Sequence, residues 1–386
     1  MKKIGIYVIL IAVLGAFMLS LVVKHSIKSP DAFSSTKKSI NFDLSDLYSS
    51  VGRRALKKDY CKDILIISTD NSNRRQISAI IDAINYMGAK VIGLDLLFQS
   101  KQFDDNYLIS SIASSDNIVL PVGLWRDNDS LPFSINDTCY FNSQLNNKPF
   151  GAVNLDGNSI RSTVRNFKYS FNLKDDEYID AFATAIIKLY SKKIKFDKEL
   201  SAKEQRINFH SNEEFEILSW DEIITKDSIP TPIFRHEKLI KDKIILLGQV
   251  DSRADMHTTP ISVEMPGVFI HAHILATILG KKEIIDVSKS INYIIAVIIT
   301  FLFCGFVFYV RENIKHIGRM LIRFVQFTLM IIFFYVGSIL YIKYDLFVDF
   351  SLTLLMLGFS TLMLDIASGL YWIYLLVINR IKNRKI

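Results

Sequence analysis

The chain has 386 residues, of which 50% are hydrophobic and 12% aromatic, a composition that excludes an intrinsically disordered protein. Its formal net charge of +7 would suit a nucleic-acid-binding protein, but many of the basic residues lie beside long apolar runs. Basic residues in that position are typical of the cytoplasmic flanks of membrane spans. We therefore expect no nucleic acid among the partners.

An apolar run from Ile4 to Val23 follows a short basic start. A helix rises about 1.5 Å per residue, so roughly 20 apolar residues cross a hydrocarbon core about 30 Å thick. A cleaved signal peptide is the alternative, but its apolar region is usually shorter, and no small-residue cleavage site follows this run. We predict that residues 1–24 are an uncleaved transmembrane anchor.

Three further apolar runs follow residue 289. Ile291–Val310 carries no charge, and Leu321–Tyr341 carries only Arg323, whose long side chain can reach the membrane interface. The last pattern begins at Leu346 and would form a helix roughly 50 Å long, which exceeds one membrane crossing. We place the fourth span from Leu346 to about Leu364, so that residues 290–378 hold three transmembrane helices.

The distribution of basic residues predicts the orientation of these spans. Residues 311–320 carry several basic side chains and one acidic side chain, so the positive-inside rule places them in the cytoplasm. Both termini are then cytoplasmic, including the basic tail 379–386, and residues 25–289 form an extracytoplasmic domain. The sequence therefore predicts a multi-pass protein of the plasma (inner) membrane.

The middle of the chain alternates between short apolar runs and amphipathic segments. Five segments read in order as strand, helix, strand, helix and strand, and a sixth buried strand comes later: Asp63–Thr69, Asn73–Met87, Lys90–Phe98, Asp105–Ala113, Asn117–Val122 and Lys243–Gly248. Near-continuous apolar strands joined through helices are typical of parallel pairing. The predicted fold is an α/β extracytoplasmic domain with a mainly parallel sheet, plus four transmembrane α-helices, one before it and three after it.

The remaining segments of this domain are less regular. We predict strands at Gly151–Asn154 and Ser162–Phe171, and helices at Tyr178–Tyr190 and Val268–Leu279. Residues 196–236 are charged and poorly periodic, and we assign them no element.

Candidate ligand-binding residues follow the predicted strands. Asp70 and Asp95 lie at the carboxyl ends of two strands that we expect to be adjacent, where open α/β sheets form their ligand crevice. Asp104 and Asp105 occupy the next loop, and the loop after the Lys243–Gly248 strand adds four more residues: Asp251, Arg253, Asp255 and His257. Alternatively, Asp70 caps the following helix and Asp95 is a buried structural carboxylate.

Other motifs give no enzymatic signal. His271 and His273 are two residues apart on a predicted helix and point in different directions, so they favour core or capping roles over one metal site. Cys61 and Cys139 are either disulfide-bonded or free. The sequence has no nucleophile elbow, Walker loop or CxxC motif, and we predict no catalytic residues, no metal site and no cofactor.

The ordered motifs resemble the CHASE type 2 family, extracellular sensor domains associated with cyclases and histidine kinases. The resemblance covers most of residues 40–285 and rests on six segments: DILIISTD (63–70), AKVIGLDLLF (89–98), the pair Asp104-Asp105, GAVNLDGNSIRST (151–163), KIILLGQVDSRADMHTTPI (243–261) and MPGVFIHAHILATIL (265–279). Arg161, in the fourth segment, completes the candidate ligand-binding residues. The resemblance implies a sensor of bacterial origin.

The sequence leaves three functions open. The first is a transmembrane receptor subunit, not an enzyme, that detects an extracytoplasmic ligand and signals to a separate cytoplasmic or membrane partner, because few residues follow the fourth span. A homo-oligomer is compatible with this reading. The second is a cell-envelope scaffold without ligand sensing. The third is an external metal-dependent hydrolase that uses Asp70, Asp95, Asp255 and His257.

Overall fold

A computed structural model describes residues 2–28, 43–52, 61–125, 132–145, 147–155, 163–174, 177–191, 204–209, 215–314 and 317–383. The chain forms two compact units. One unit combines Met1–Arg53 with Ile285–Ile386, and the other is Arg54–Ile284. After the expectations from the sequence, we call them the membrane unit and the sensory unit.

The secondary structure of the described residues alternates helices and short strands in the sensory unit and is mainly helical in the membrane unit. The helices are α1 (Lys2–Lys28), α2 (Leu44–Gly52), α3 (Arg74–Tyr86), α4 (Asp105–Ser114), α5 (Phe182–Tyr190), α6 (Glu237–Ile240), α7 (Gly267–Leu279), α8 (Lys289–Asn313), α9 (Gly318–Tyr344) and α10 (Ser351–Asn383). The strands are β1 (Ile64–Ser68), β2 (Val91–Asp95), β3 (Ile118–Trp125), β4 (Ser134–Thr138), β5 (Phe150–Ala152), β6 (Asn166–Phe167), β7 (Ser170–Asn172), β8 (Tyr178–Asp180), β9 (Gln205–Arg206), β10 (Glu216–Ser219), β11 (Ile244–Gly248), β12 (Met256–His257), β13 (Met265–Pro266), β14 (Ile285–Asp286) and β15 (Leu346–Phe347).

The main sheet of the sensory unit has the strand order β10-β1-β11-β2-β3-β4, with β5 also paired to β3. The pairs from β10 to β3 are parallel, as is the β3–β5 pair, whereas β4 runs antiparallel to β3. The mixed α/β architecture with a mainly parallel sheet is as predicted. The adjacency of β1 and β2 was predicted wrongly, because β11 lies between them. All five residues of β11 are buried, which suits a central strand covered on both faces.

Helices cover both faces of this sheet. Alternate residues of the strands pack against α5 and α7 on one face, and the intervening residues pack against α3 and α4 on the other. The start of α3 shows how the sequence sets these elements. The Asn73 side chain accepts a hydrogen bond from the Gln76 backbone N–H at 2.9 Å, and the Gln76 side chain accepts one from the Asn73 backbone N–H at 2.8 Å. This capping box fixes the first turn.

Two predicted elements of the sensory unit differ from the structure. The expected strand Ser162–Phe171 is two short strands, β6 and β7, that pair with different partners. The expected helix Tyr178–Tyr190 begins only at Phe182, because Tyr178–Asp180 pairs with β7 as a strand. The first apolar residues of this segment therefore belong to a strand, although their spacing of about three or four residues resembled that of a helix.

Among the described residues of the membrane unit, four helices are long and apolar enough to cross a membrane: α1, α8, α9 and α10. One precedes the sensory unit and three follow it, as predicted. The fourth helix begins at Ser351, not at Leu346, because β15 pairs with β14 and Asp345 adopts a left-handed backbone with φ 50°. None of Cys61, Cys139 and Cys304 forms a disulfide bond, so the disulfide alternative is wrong.

Candidate functional site

A cleft of about 620 Å³ opens at the carboxyl ends of the central strands of the sensory unit. The ends of three strands are in register there, with Ser68 beside Gly248 and Gly248 beside Asp95. The segments that follow β1, β11, β2 and β5, together with residues near the end of β3, supply the walls. This volume lies within the range of pockets that hold small-molecule ligands.

The position of the cleft follows from the route of the chain. The helices that follow β1 and β2 cover one face of the sheet, whereas α7, the first long helix after β11, covers the other. Neighbouring strands whose helices diverge to opposite faces leave a crevice between the outgoing loops. The expectation of a crevice at the carboxyl edge is met, although the strand order differs.

Asp95, the last residue of β2, lies in the cleft wall and is partly exposed to it. None of the residues that the structure describes forms a hydrogen bond or an ion pair with its carboxyl group. Burial raises the pKa of Asp95 to about 8, and the negative charge of Asp255 contributes in the same direction. Asp95 is therefore largely protonated at neutral pH.

Asp255 and His257 also line the cleft, and they interact with each other. The His257 Nε2 atom is 3.1 Å from Oδ1 of Asp255. Asp255 reaches the start of α7 because Gly267 has no side chain: a Cβ there would lie 2.6 Å from the Asp255 Oδ2 atom. A carboxylate beside a helix N-terminus is favoured by the helix dipole.

His271 is a cleft residue that sequence reasoning did not select. It lies one turn into α7, is 4% exposed, and its ring contacts the Phe182 ring edge to face at 5.1 Å. Its Nδ1 atom has no hydrogen-bond partner among the described residues. Burial lowers the pKa of His271 to about 4, against the opposing effects of Asp255 and a backbone hydrogen bond with Val153, so the ring is neutral at physiological pH.

The second histidine of this helix does not share the site. His273 packs between the rings of Phe209 and Phe215, at 5.3 and 4.9 Å, in the core on that face of the sheet. The two histidines therefore point to different surroundings, as their spacing predicts. His271 is buried in the core and also lies in the cleft wall. In the sequence, the only sign of this second position is its distance from the start of α7.

Asp70 does not line the cleft and has a local structural role. Its carboxylate accepts hydrogen bonds from the backbone N–H groups of Val250 and Asp251, at 3.0 and 3.3 Å, and from the Ser68 hydroxyl at 2.6 Å. It thereby joins the loop after β1 to the loop after β11. The alternative role of capping α3 belongs to Asn73 instead.

The Asp104-Asp105 pair contributes to the cleft only indirectly. Asp105 is 1% exposed and accepts hydrogen bonds from Arg74 at 3.0 Å and from the Tyr140 hydroxyl at 2.6 Å. Arg74 lines the cleft, but Asp105 balances its charge. Asp104 precedes α4 without a side-chain cap, outside the cleft.

The two predicted arginines lie apart from these residues. Arg253 is exposed in the short turn before β12 and does not line the cleft. Arg161 lies outside the described residues. Within the described ranges, no three His, Cys, Asp or Glu side chains are grouped so that they could hold one metal ion. The four residues considered for a hydrolase are among the described residues, and they form no such group.

The protonation of Asp95 makes a prediction about stability. The pKa of Asp95 in the folded protein, about 8, exceeds the ordinary value of an aspartate. Between about pH 4 and 8 the folded state therefore keeps a proton that the unfolded state has already released. The stability that this proton contributes is lost as the pH rises through that window. Asp95→Asn should remove this loss, roughly 2 kcal/mol after allowance for partial exposure, in thermal unfolding between pH 5 and 9. An unchanged pH dependence would contradict the assignment.

Comparison with known proteins agrees with this architecture. No curated protein and no solved structure matches the chain. The model of one family, described as CHASE2 domain, matches residues 37–307. The match confirms the resemblance seen in the ordered motifs, and CHASE2 domains are sensory extracellular domains. Because the matched residues make up more than half of the sequence, the chain belongs to the CHASE2 domain family.

Proposed function

We propose that the protein is a transmembrane receptor subunit whose cleft binds an extracytoplasmic ligand and whose apolar helices pass the signal to a separate effector protein. The observation that carries the proposal is the cleft itself. Its wall includes Asp95 and His271, whose carboxyl group and ring Nδ1 atom lack partners among the described residues. Buried polar groups of this kind cost free energy unless a ligand or water satisfies them.

The orientation in this proposal follows the basic residues. Residues 25–289 would face the outside of the plasma membrane, and residues 311–320 and both described chain ends would face the cytoplasm. Arg311 and Asp365 form an ion pair at 2.6 Å, which supports placing these parts of their two helices at the same membrane interface. A possible homo-oligomer would use the same orientation.

Few residues of the chain separate the helix that lines the cleft from the next apolar helix. Helix α7 supplies Gly267 and His271 to the cleft and ends at Leu279, and α8 begins at Lys289. A ligand that changes the position of α7 therefore acts on a segment close in sequence to α8. Such a ligand shifts the receptor between two arrangements only if it binds one of them more tightly.

Within the membrane unit, the apolar helices are joined by polar contacts. Lys24 of α1 forms an ion pair at 2.6 Å with Asp349, just before α10, and donates to Ser351 at 2.8 Å. Arg323 of α9 donates to Thr361 of α10 at 3.0 Å. Charged contacts between apolar helices are strongly favoured in a medium of low dielectric constant, so movement of one helix is expected to move its neighbours.

The end of α10 is the output surface that we propose. The helix has 33 residues, roughly 50 Å at 1.5 Å per residue, against a hydrocarbon core about 30 Å thick. From residue 368 to residue 381 its side chains are exposed or only partly buried, among them Trp372 at 63% and Tyr374 at 58%. This stretch has the length and exposed surface to contact another protein.

Photo-crosslinking in native membranes tests the proposal. A photo-reactive residue in place of Trp372 is expected to capture an effector protein, and the yield should change when Asp95→Asn alters the cleft. The matched control places the same residue at Phe327, an equally exposed apolar position of α9. Capture of nothing, of a second copy of this chain alone, or of the same proteins from both positions would contradict a separate effector that reads α10.

A further inference from the structure

Several polar groups of the residues that line the cleft lack hydrogen-bond partners among the described residues, the Thr69 hydroxyl among them. Asp95 has no partner among the described residues, and the neutral His271 ring presents an unpartnered Nδ1. Asp255 adds a second carboxylate to the same wall. The cation of the wall, Arg74, donates to Asp105 and to the Ser100 carbonyl and stacks on Phe98 at 4.2 Å. Its charge is therefore already balanced.

From these contacts we propose that the ligand carries a primary ammonium group, which binds between Asp95 and Asp255 and donates to His271. This inference rests on the proposed function and specifies its ligand. A primary ammonium group has one positive charge and three N–H donors. It would therefore match the Asp255 carboxylate, the His271 ring nitrogen and, once the Asp95 carboxyl group has released its proton to solvent, the Asp95 carboxylate. It would also remove the cost of leaving Asp95 and His271 without partners.

Other ligand chemistries suit the cleft less well. An anion would meet Asp95 and Asp255, and the helix N-terminus that could attract it is already occupied by Asp255 at Gly267. A metal ion needs three or more protein ligands around one point, and the described residues include no such group of His, Cys, Asp and Glu. A quaternary ammonium ion usually binds within several aromatic rings, whereas Phe98 is the one Phe, Tyr or Trp among the described residues that line the cleft.

The rest of the cleft indicates what the ammonium group is attached to. An ammonium group fills only a small part of 620 Å³. The remaining wall includes apolar side chains on both sides, among them Ile77, Leu96, Leu124, Val153 and Leu155. A ligand that buries apolar surface against these residues gains free energy from the hydrophobic effect. The expected class is therefore an organic amine with an apolar alkyl or aryl body.

The direct experiment compares primary amines with alcohols of the same carbon skeleton. Hexylamine, cadaverine and phenethylamine are titrated at pH 8 against the purified full-length protein in nanodiscs, beside hexanol, pentanediol and phenylethanol. Binding is followed by calorimetry and by thermal stabilisation. At least one amine is expected to bind while its alcohol does not, and Asp95→Asn or Asp255→Asn should weaken that binding about tenfold or more. Asp82→Asn removes an exposed carboxylate of α3 and is the matched control, with unchanged affinity.

Three results would overturn the inference. They are equal binding of amine and alcohol, no amine binding up to roughly 10 mM, or stabilisation by Ca²⁺, Mg²⁺ or Zn²⁺ that disappears in Asp95→Asn. The crosslinking at Trp372 separates these failures from failure of the proposed function. If Asp95→Asn still changes the capture of an effector but no amine binds, the receptor function stands and the ligand class is wrong.

Discussion

Gly151→Val is expected to prevent the sensory unit from folding normally. Gly151 lies in β5, and a Cβ atom there would be 2.6 Å from the backbone Cα of Phe182 and 3.1 Å from its N. Phe182 begins α5 and is fully buried, so neither the strand nor the helix can move without disturbing the core. Overpacking usually costs about 1–3 kcal/mol, and a clash with backbone belongs at or above the upper end of that range.

Denaturant unfolding of the purified full-length protein measures this cost, with intrinsic fluorescence as the probe. The variant should lose about 3 kcal/mol of stability or fail to accumulate. Gly305→Ala is the control, because, apart from the neighbouring backbone of its own helix, no atom of the described residues lies within 4 Å of the Cβ position there. A Gly151→Val protein as stable as the wild type would show that β5 and α5 do not pack as described.

Tyr48→Ala should cost about 3–5 kcal/mol in the membrane unit, as truncation of a large buried aromatic side chain usually does. Tyr48, in α2, is completely buried, with the rings of Phe334, Tyr341 and Phe347 at 5.6, 5.9 and 6.2 Å. It contacts α9 closely because Gly337 has no side chain: a Cβ there would lie 2.6 Å from the Tyr48 Cζ atom. The ring therefore fixes α2 against α9.

Tyr48→Phe is the matched control for that truncation. The Tyr48 hydroxyl has no hydrogen-bond partner among the described residues, so its removal should leave stability unchanged or raise it slightly. Thermal unfolding in detergent distinguishes the two variants. A loss of stability in Tyr48→Phe comparable to that in Tyr48→Ala would mean that the hydroxyl, and not the ring, holds α2 in place.

Local features of the sequence predicted much of the fold. The apolar spacing after Asn73 predicts α3, and the apolar run at 243–248 predicts β11. The cap of α3 was predicted at Asp70, whereas Asn73 supplies it. The order of strands could not be predicted in the same way, because periodicity describes how one strand is buried and not which strand lies beside it. The insertion of β11 between β1 and β2 depends on packing between residues far apart in sequence.

The candidate site was predicted in part. One cleft is lined by Asp95, Asp255 and His257, because the segments that carry these residues follow strand ends or precede α7. Asp105 looked similar in sequence, yet it pairs with Arg74, which lies 31 positions earlier. His271 was assigned a core or capping role, because residues two apart on a helix point in different directions, and only the three-dimensional arrangement shows that this residue also lines the cleft.

Thiol labelling of a cysteine in the cleft tests most directly whether this cleft receives an external ligand. Gln249 is an exposed residue of the cleft, and Gln249→Cys places a thiol there. Cys61 is replaced by serine in the same protein, whereas Cys139 and Cys304 can remain because they are buried. A membrane-impermeant maleimide should label it in intact cells, more slowly in medium that contains the ligand, and Asp95→Asn should abolish that protection. Asn379→Cys, in the expected cytoplasmic tail, should react only after permeabilisation. Labelling of Gln249→Cys that also requires permeabilisation would contradict an extracytoplasmic sensor.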